Sequence, residues 1–270
     1  METGNEKQEK WYESMTIKMI LIAIMGLMLL IPLALIMEVI RERSANAESA
    51  RTEIGQLWAS AQTVTGPVLN VPGTRVIAND GTFVTTTMHI LPGELGVNGV
   101  LEPEMRYRGI YETVVYDSEM EISGSFTIAG FEQLNDYTWQ WDKAYISLGV
   151  SDNKGISDKA ELSIGGRVIS AIPGAGQSDL FDKGITFPYA VDPSKLAESG
   201  GEFSLKLGLR GSSSVAFSPV GQTTKVTLSS KWNAPSFTGN FLPAERDVTD
   251  SGFTASWVVT HLNRSFPQVW

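Results

Sequence analysis

An uninterrupted apolar run from Met19 to Met37 constrains the fold of this 270-residue chain more than any other feature. The run contains nineteen residues without a charge and is bracketed by Lys18 and Glu38. At about 1.5 Å per residue, a helix of this length crosses a hydrocarbon core of about 30 Å. Only a helix pairs all of its own backbone polar groups there. We therefore predict one transmembrane helix, residues 17–37, that anchors the chain in a lipid bilayer.

The flanks of this run leave two questions open, its cleavage and its orientation. Ala45-Asn46-Ala47 fits the small-x-small pattern of a signal-peptide cleavage site. The run is longer than an ordinary signal-peptide core, however, and the charged segment Glu38–Arg43 separates it from that site, so we interpret it as an uncleaved anchor. Three basic residues lie on each side, which leaves the positive-inside rule without an answer. We predict that the N-terminus is inside, because large domains translocate largely regardless of flanking charge.

The composition excludes several classes of site. The chain has no cysteine, which removes disulfides, thiol nucleophiles and thiolate metal ligands. Its net charge is −9, and the part from Ala61 onward has 15 Lys and Arg against 22 Asp and Glu, a net −7. An acidic domain is a poor candidate for binding nucleic acid or anionic lipid surfaces, so we predict no nucleic-acid partner.

The segments on either side of the anchor are predicted to be a tail and a helical extension. Residues 1–16 mix Glu and Lys and form a polar cytoplasmic tail. Residues 38–60 contain no proline and continue the helical pattern as a juxtamembrane helix, which ends near Ala59. A narrow stripe marks one face of the helix: Ile36, Ile40, Ala47, Ile54 and Trp58. This stripe predicts contact either with the chain's own β domain or with a partner helix.

Residues 61–270 have the pattern of an all-β domain of antiparallel sandwich type. Short runs of β-branched and aromatic residues are separated by turn residues, and Asn79-Asp80-Gly81 is a hairpin signal. The segments Ile172–Ser178 and Glu198–Gly201 are predicted loops, and a boundary near residues 172–201 could divide the domain into two subdomains. The predicted strands are Val68–Val71, Phe83–Leu91, Arg106–Tyr116, Glu119–Ile128, Tyr137–Val150, Phe203–Leu209, Lys225–Trp232 and Phe253–His261.

Patterns that suggest catalysis or metal binding are few. The two histidines, His89 and His261, lie in or at the end of predicted strands, and we interpret both as hydrogen-bonded structural residues. Ser151-Asp152-Asn153-Lys154 resembles two motifs of penicillin-binding enzymes at once. Those motifs must be separate and must converge with a Lys-Thr-Gly strand that the sequence lacks, so we interpret it as a polar turn. The sequence thus predicts no catalytic, metal-binding or cofactor-binding residue, and no cofactor.

Two rows of alternating side chains are candidate surfaces. Asp117, Glu119 and Glu121 share one face of a predicted strand, which is either solvated or relieved of its repulsion by a bound cation; the solvated face is the commoner case. The second row is Tyr137, Trp139 and Trp141, with three rings on one side of a strand. It is a core spine by default, since aromatic side chains dominate cores by area. A platform for glycans or a partner, or a belt at the bilayer interface, is the alternative.

Several short segments of the chain carry a family resemblance. They occur in order at Glu38–Arg43, Ala61–Val68, His89–Pro92, Tyr107–Glu112, Pro219–Gly221, Leu228–Trp232, Pro235–Gly239, Phe241–Arg246 and Pro267–Trp270. In these segments the chain resembles the CreD family of bacterial inner-membrane proteins, whereas residues 155–201 resemble it only loosely. No catalytic residue or cofactor is established for that family, so the resemblance transfers no site residues.

The resemblance implies a large periplasmic β domain after the first membrane helix. It also implies a link to a two-component regulon, to envelope integrity and, when the protein is abundant, to colicin tolerance. Family members usually continue past the Pro-Gln-x-Trp segment into further membrane helices, whereas this sequence ends at Trp270. It is then a fragment, a shortened homologue, or one half of a split protein whose helical half is a separate membrane subunit.

Together, residues and resemblance predict a non-enzymatic, single-pass protein of the bacterial inner membrane, with most of the chain in the periplasm. Its β domain would contact other envelope proteins in a stress response. We expect Thr65–Pro67 to mark the start of this domain, and Pro267 and Trp270 its end, with Trp270 near the bilayer interface.

Two alternative functions stay open. The first is a membrane-anchored glycan-binding module, which the row Tyr137, Trp139 and Trp141 alone supports. The second is a cell-wall hydrolase that uses paired carboxylates such as Glu102 and Glu104, or Glu245 and Asp247. Such i, i+2 pairs are common by chance in an acidic chain, so the second alternative is the weaker.

Overall fold

The computed structural model describes residues 15–76, 82–127, 136–176, 180–264 and 266–270. The chain divides into two compact units, of which the first ends at Ala50 and the second comprises Arg51–Trp270. The long helix α1, Met15–Leu57, makes up the described part of the first unit and has its last turns in the second.

Helix α1 contains 43 residues and agrees with the single helix predicted from about Ile17 to about Ala59. Pro32 lies inside it without ending it, as membrane helices tolerate. Among the described residues, α1 is the one helix long and apolar enough to cross a membrane, and none of its most apolar window is buried. Of the predicted stripe, Ile36 and Ile40 are exposed, whereas Ile54 and Trp58 are partly buried in the second unit.

The second unit is built from strands. Its described residues form the short helix α2 (Pro193–Ser199) and the strands β1 (Gln62–Val76), β2 (Phe83–Ile90), β3 (Pro92–Arg108), β4 (Tyr111–Phe126), β5 (Thr138–Trp139), β6 (Tyr145–Val150), β7 (Ile156–Ile164), β8 (Arg167–Ser170), β9 (Ile172–Pro173), β10 (Gly184–Pro188), β11 (Gly201–Ser212), β12 (Val215–Phe217), β13 (Thr223–Ser230), β14 (Glu245–Thr249) and β15 (Gly252–Thr260).

These strands form two sheets. Sheet A has the order β12-β1-β6-β10-β9, with β2 and β5 also paired to β1. Sheet B has the order β14-β15-β13-β3-β4-β11-β7-β8. Most pairs are antiparallel, while β1–β12 and β3–β13 are parallel.

Side chains from both sheets form the core. Strand β11 alternates strictly from Phe203 to Leu207, with apolar side chains buried and polar ones outside, as expected for a sheet with one solvated face. One continuous cluster of buried side chains includes Leu69 and Ile146 from sheet A and Ile122 and Leu205 from sheet B. This confirms a mainly β fold of sandwich type after one long N-terminal helix. We call the side of sheet B that faces away from this cluster its outer face.

Two predicted strands are wrong in their extent. The run Arg106–Tyr116 is a hairpin, because a turn at Gly109 and Ile110 separates β3 from β4. Gly109 has φ +61°, a conformation that favours glycine. The run Tyr137–Val150 is also interrupted, since a 3-10 turn at Trp141–Lys143 lies between β5 and β6.

Other predictions differ at segment ends. Strand β1 begins at Gln62, so Thr65–Pro67 lies inside the strand, where the pairing with β6 shifts register, and does not mark the start of the domain. The predicted turn Asn79-Asp80-Gly81 lies outside the described residues, although β1 and β2 on either side of it pair antiparallel.

The segment 172–201, considered above as a boundary between subdomains, contains β9, β10 and α2. Strand β10 pairs with β6 inside sheet A, and its Phe187 is fully buried in the common cluster. Helix α2 begins where Asp192 caps the amide of Ser194 and Pro193 occupies the first turn, which is a recognisable helix start.

Candidate functional site

The chain passes from the last turn of α1 to β1 through a short junction that is held by hydrogen bonds. Helix α1 ends at Leu57 and β1 begins at Gln62. Between them, the amide and the hydroxyl of Ser60 both donate to Oδ2 of Asp152, at 3.2 Å each. The segment Ser151–Lys154 is thus a polar turn, as predicted, and its aspartate holds the connection.

Gln62 completes this junction from the buried side. Its side chain is 1% exposed and donates to the carbonyl oxygens of Asp152 (3.0 Å) and Arg210 (3.1 Å). Its own side-chain oxygen accepts from the amide of Asp152 at 3.2 Å. A side chain at Gly155 would overlap the carbonyl of Arg210 and the amide of Gln62. The buried amide therefore has its partners, as buried polar groups require.

The Asp152 carboxylate is adapted to this role. Partial burial pushes its pKa upward, but hydrogen bonds from Ser60 and from the amide of Lys154, together with the Lys154 charge, outweigh burial and hold the pKa below its ordinary value. The ionised form is therefore the one that the folded junction favours.

An aromatic contact fixes the end of α1 on the outer face of sheet B. The guanidinium groups of Arg106 and Arg210 lie 5.0 and 5.2 Å from the centroid of the Trp58 ring. The indole of Trp58 also donates a long hydrogen bond, 3.5 Å, to the carbonyl of Tyr116. Cations over an indole ring are attracted by its negative face, so these contacts position Trp58 between β3, β4 and β11.

Ion pairs and one buried phenol surround this contact. Arg210 pairs with Asp117 at 2.8 Å, and Arg108 of the β3–β4 hairpin pairs with Glu53 of α1. Beside them the buried Tyr116 hydroxyl donates to the carbonyl of Ser214 at 2.9 Å. Burial raises the pKa of Tyr116 far above its ordinary value, so this phenol stays a neutral donor.

The predicted acidic row lies on the same outer face of sheet B. Asp117, Glu119 and Glu121 are exposed on β4, and the alternate residues Met120 and Ile122 are buried. Arg210 pairs with Asp117 and Lys159 with Glu119, the latter at 2.6 Å, while Glu121 accepts from Ser204 at 3.3 Å. Basic and hydroxyl side chains of neighbouring strands thus reduce the repulsion among these three carboxylates, the role suggested above for a bound cation.

The predicted aromatic row is not arranged along one strand. Strand β5 contains only Thr138 and Trp139, and Trp141 begins a 3-10 turn, so the expectation of three rings on one strand face is wrong. All three rings are partly buried, and Trp139 and Trp141 pack against the core. Trp139 lies over Gly73, where a Cβ would clash with its ring, and Tyr137 lies 5.3 Å from Trp139. A glycan or partner surface at these rings stays a prediction.

The two histidines have different surroundings. His89 is buried, and its Nδ1 lies 2.7 Å from Oδ1 of Asn70. Because that oxygen can only accept, Nδ1 carries the proton. Asn70 in turn donates to the hydroxyl of Ser147 at 2.7 Å. His261 is exposed in a 3-10 turn. In the described ranges, no group of three His, Cys, Asp or Glu residues could hold a metal ion.

The last residues of the chain pair with β2. The backbones of Trp270 and His89 exchange hydrogen bonds of 3.0 and 3.3 Å, and the Gln268 side chain donates to the carbonyls of Leu91 and Pro92. The Trp270 ring lies 5.3 Å from that of His89. Pro267 is exposed beside this pairing. The expected position of Trp270 at the bilayer interface stays a prediction.

The carboxylate pairs considered for hydrolysis are exposed. Glu102 pairs with Lys231 at 3.1 Å and Glu104 with Arg106 at 2.9 Å. Glu245 and Asp247 lie on β14, whose five residues are all exposed. All four carboxylates thus lie on exposed strand surface, and Glu102 and Glu104 each have a basic partner.

Comparison with known proteins assigns the chain to a family. The profile of the family described as Inner membrane protein CreD matches residues 14–270. This chain belongs to the CreD family. The Inner membrane protein CreD of Escherichia coli (strain K12) is 30% identical over 237 residues, which cover 86% of this chain and 52% of the relative. The chain thus spans about half the length of the curated CreD relative that it matches, and no solved structure matches it.

Membership in the CreD family indicates the inner membrane but does not identify any functional residue. The junction residues lie within the matched range, but no sequence pattern groups them, because Gln62, Asp152 and Arg210 are far apart in the sequence. The one available signal was the turn Ser151–Lys154, whose aspartate followed by a small loop is typical of a side chain that caps backbone amides.

We expect Asp152→Ala to lower the free energy of unfolding of the β domain by about 1–2 kcal/mol at pH 7, because three hydrogen bonds to the carboxylate are lost. Asp152→Asn, which keeps an acceptor, should cost less. Thermal unfolding of the full chain in detergent measures both, with the exposed Asp158→Ala as the matched control.

The same difference should depend on pH. Since the folded pKa of Asp152 is lowered, its contribution is complete above the ordinary aspartate pKa of about 3.9 and is lost as the pH falls below it. An Asp152→Ala variant as stable as Asp158→Ala at pH 7 would contradict the role assigned to this carboxylate.

Proposed function

We propose that this protein is a non-enzymatic component of the bacterial inner membrane whose β domain lies in the periplasm and supports envelope integrity under stress. The observation that carries the proposal is the combination of α1 with the family. Helix α1 has an apolar window that is entirely unburied and long enough to span a bilayer, and the chain belongs to a family of inner-membrane proteins.

The periplasmic location of the β domain is supported by its size. Residues from Arg51 onward fold as one compact unit, and large domains cross the membrane largely regardless of flanking charge.

The net −7 charge from Ala61 onward disfavours binding to anionic lipid surfaces or nucleic acid. Proteins of the envelope are therefore the partners proposed for this domain.

A non-enzymatic role is supported by the state of the residues that a hydrolase would need. The carboxylates Glu102 and Glu104 lie on an exposed strand face with basic partners, which is typical of a solvated surface. The junction, in contrast, is densely bonded, which suits a domain that has to be held at the end of a membrane helix.

The absence of cysteine from the chain allows a clean test of the location. Single cysteines at Glu202, on the exposed face of β11, and at Glu2, in the N-terminal tail, give two reporters. In Escherichia coli spheroplasts, a membrane-impermeant maleimide should label Glu202→Cys without lysis and Glu2→Cys only after lysis. The cysteine-free chain is the control for background, and the reverse labelling pattern would contradict the proposed orientation.

The envelope role has a separate test. High-level expression of the full chain should increase survival of Escherichia coli exposed to a colicin, whereas a variant lacking Met19–Met37 should not, because it cannot reach the membrane. Survival counts at matched protein levels measure the effect. Equal survival of cells with the full chain and with empty vector would count against the role in envelope integrity.

A further inference from the structure

The outer face of sheet B contains a groove that none of the roles discussed so far uses. The groove has a volume of about 620 Å³, which is within the range of small-ligand sites. Its lining comes from five neighbouring strands in the order β13-β3-β4-β11-β7. At about 4.8 Å between strands, it extends for about 19 Å across the sheet.

Two rows of side chains, each running across the strands, form the floor of this groove. In the first row, Thr227 pairs in register with Asn98, Asn98 with Glu121, and Glu121 with Lys206. In the second row, Ser229, Val100, Glu119 and Gly208 follow one another in the same order. Gly208 has no side chain, and the hydroxyl group of Ser157 occupies the position that its Cβ would take. Lys159 bounds this end of the groove through its ion pair with Glu119.

The charged side chains of the lining select against singly charged ligands. Among the residues that line the groove, Val100 is the one exposed large apolar side chain. Glu119 and Glu121 would repel an anion, while Lys159 and Lys206 would repel a cation. Carboxylates accept hydrogen bonds, ammonium groups donate them, and the amide of Asn98 and the hydroxyls of Thr227 and Ser229 do both. A neutral ligand with many hydroxyl groups meets this set of partners.

The sheet also selects against an extended peptide. Peptides that bind sheets add a strand to a free edge and pair through their backbone. Strands β3, β4 and β11, at the centre of the groove, each have a neighbour on both sides, so their backbone groups are already paired. A ligand on this face can be recognised by side chains alone.

We infer that this groove binds a linear, neutral oligosaccharide, with one sugar hydroxyl group or amide meeting each polar side chain along the two rows. The groove lies next to the junction, since Asp117 and Arg210 are two residues from Glu119 and Gly208 on the same strand faces. The bound glycan would thus lie beside the residues that hold Trp58. That the oligosaccharide would come from the bacterial envelope rests on the proposed periplasmic location. The existence of the groove does not depend on that location.

The test uses the full chain in detergent and the β-1,4-linked tetramer of N-acetylglucosamine as the probe, with titration calorimetry or ligand-observed NMR. Because the site is open, we expect a dissociation constant on the order of 1 mM. The double variant Asn98→Ala with Glu121→Ala should weaken binding at least tenfold. Glu202→Ala, which removes an exposed carboxylate from the same face of β11 outside the groove, should change it by less than twofold.

Each other outcome overturns the inference. Absence of binding by the wild-type chain would remove the glycan site. Binding that the double variant leaves unchanged would place it elsewhere, and binding of tetraglycine in preference to the sugar would assign the groove to peptides. All three substituted side chains are exposed, and unchanged circular dichroism of the variants shows that they fold. Cysteine labelling measures the location of the domain without any ligand. A wrong periplasmic location and a groove that binds no sugar can therefore be told apart.

Discussion

The hydrogen bonds from Ser60 and Gln62 to the turn at Asp152 are the constraint on which the arrangement of the β domain around the helix end depends. They fix the chain between the last turn of α1 and β1, and Trp58 then lies between the two guanidinium groups of Arg106 and Arg210. Because Arg210 also pairs with Asp117, the same contacts connect the helix end with the acidic row on the outer face of sheet B.

The charges of this outer face contribute little to stability. Exposed ion pairs such as Lys159–Glu119 and Lys231–Glu102 contribute little, because solvent screens the attraction between their charges. What they do is distribute the negative charge of β4 over basic side chains of neighbouring strands. The face stays polar and well solvated while the opposite side of the same strands forms the core. A face of this kind can bind a hydroxylated ligand without being an aggregation-prone surface.

Local patterns in the sequence predicted a large part of the fold. The length and apolarity of Met19–Met37 predicted α1, and runs of β-branched and aromatic residues such as Lys225–Trp232 predicted β strands. The two longest errors, Arg106–Tyr116 and Tyr137–Val150, arose because a turn of only two or three residues inside a β-rich run leaves the average strand propensity almost unchanged. Gly109 marked the first of these turns, whereas no proline or glycine marks the second.

The candidate site was less predictable than the fold for a physical reason. Each of its contacts joins residues that are far apart in the sequence, such as Gln62 with Arg210, so no local spacing encodes them. The acidic row Asp117, Glu119 and Glu121 was identified from alternation alone, but its partners Lys159 and Arg210 depend on which strands become neighbours. Strand order depends on long-range pairing, which cannot be inferred from local patterns in a single sequence.

Amide hydrogen exchange of the full chain in lipid nanodiscs tests the role of the junction most directly. If the Asp152 turn holds the end of α1 on the β domain, the amides of Trp58, Ser60 and Gln62 should exchange as slowly as those at the centre of β1, such as Leu69. Exchange of these three amides at the rate of an exposed, unbonded linker would show that the helix end is not held there and would contradict the account.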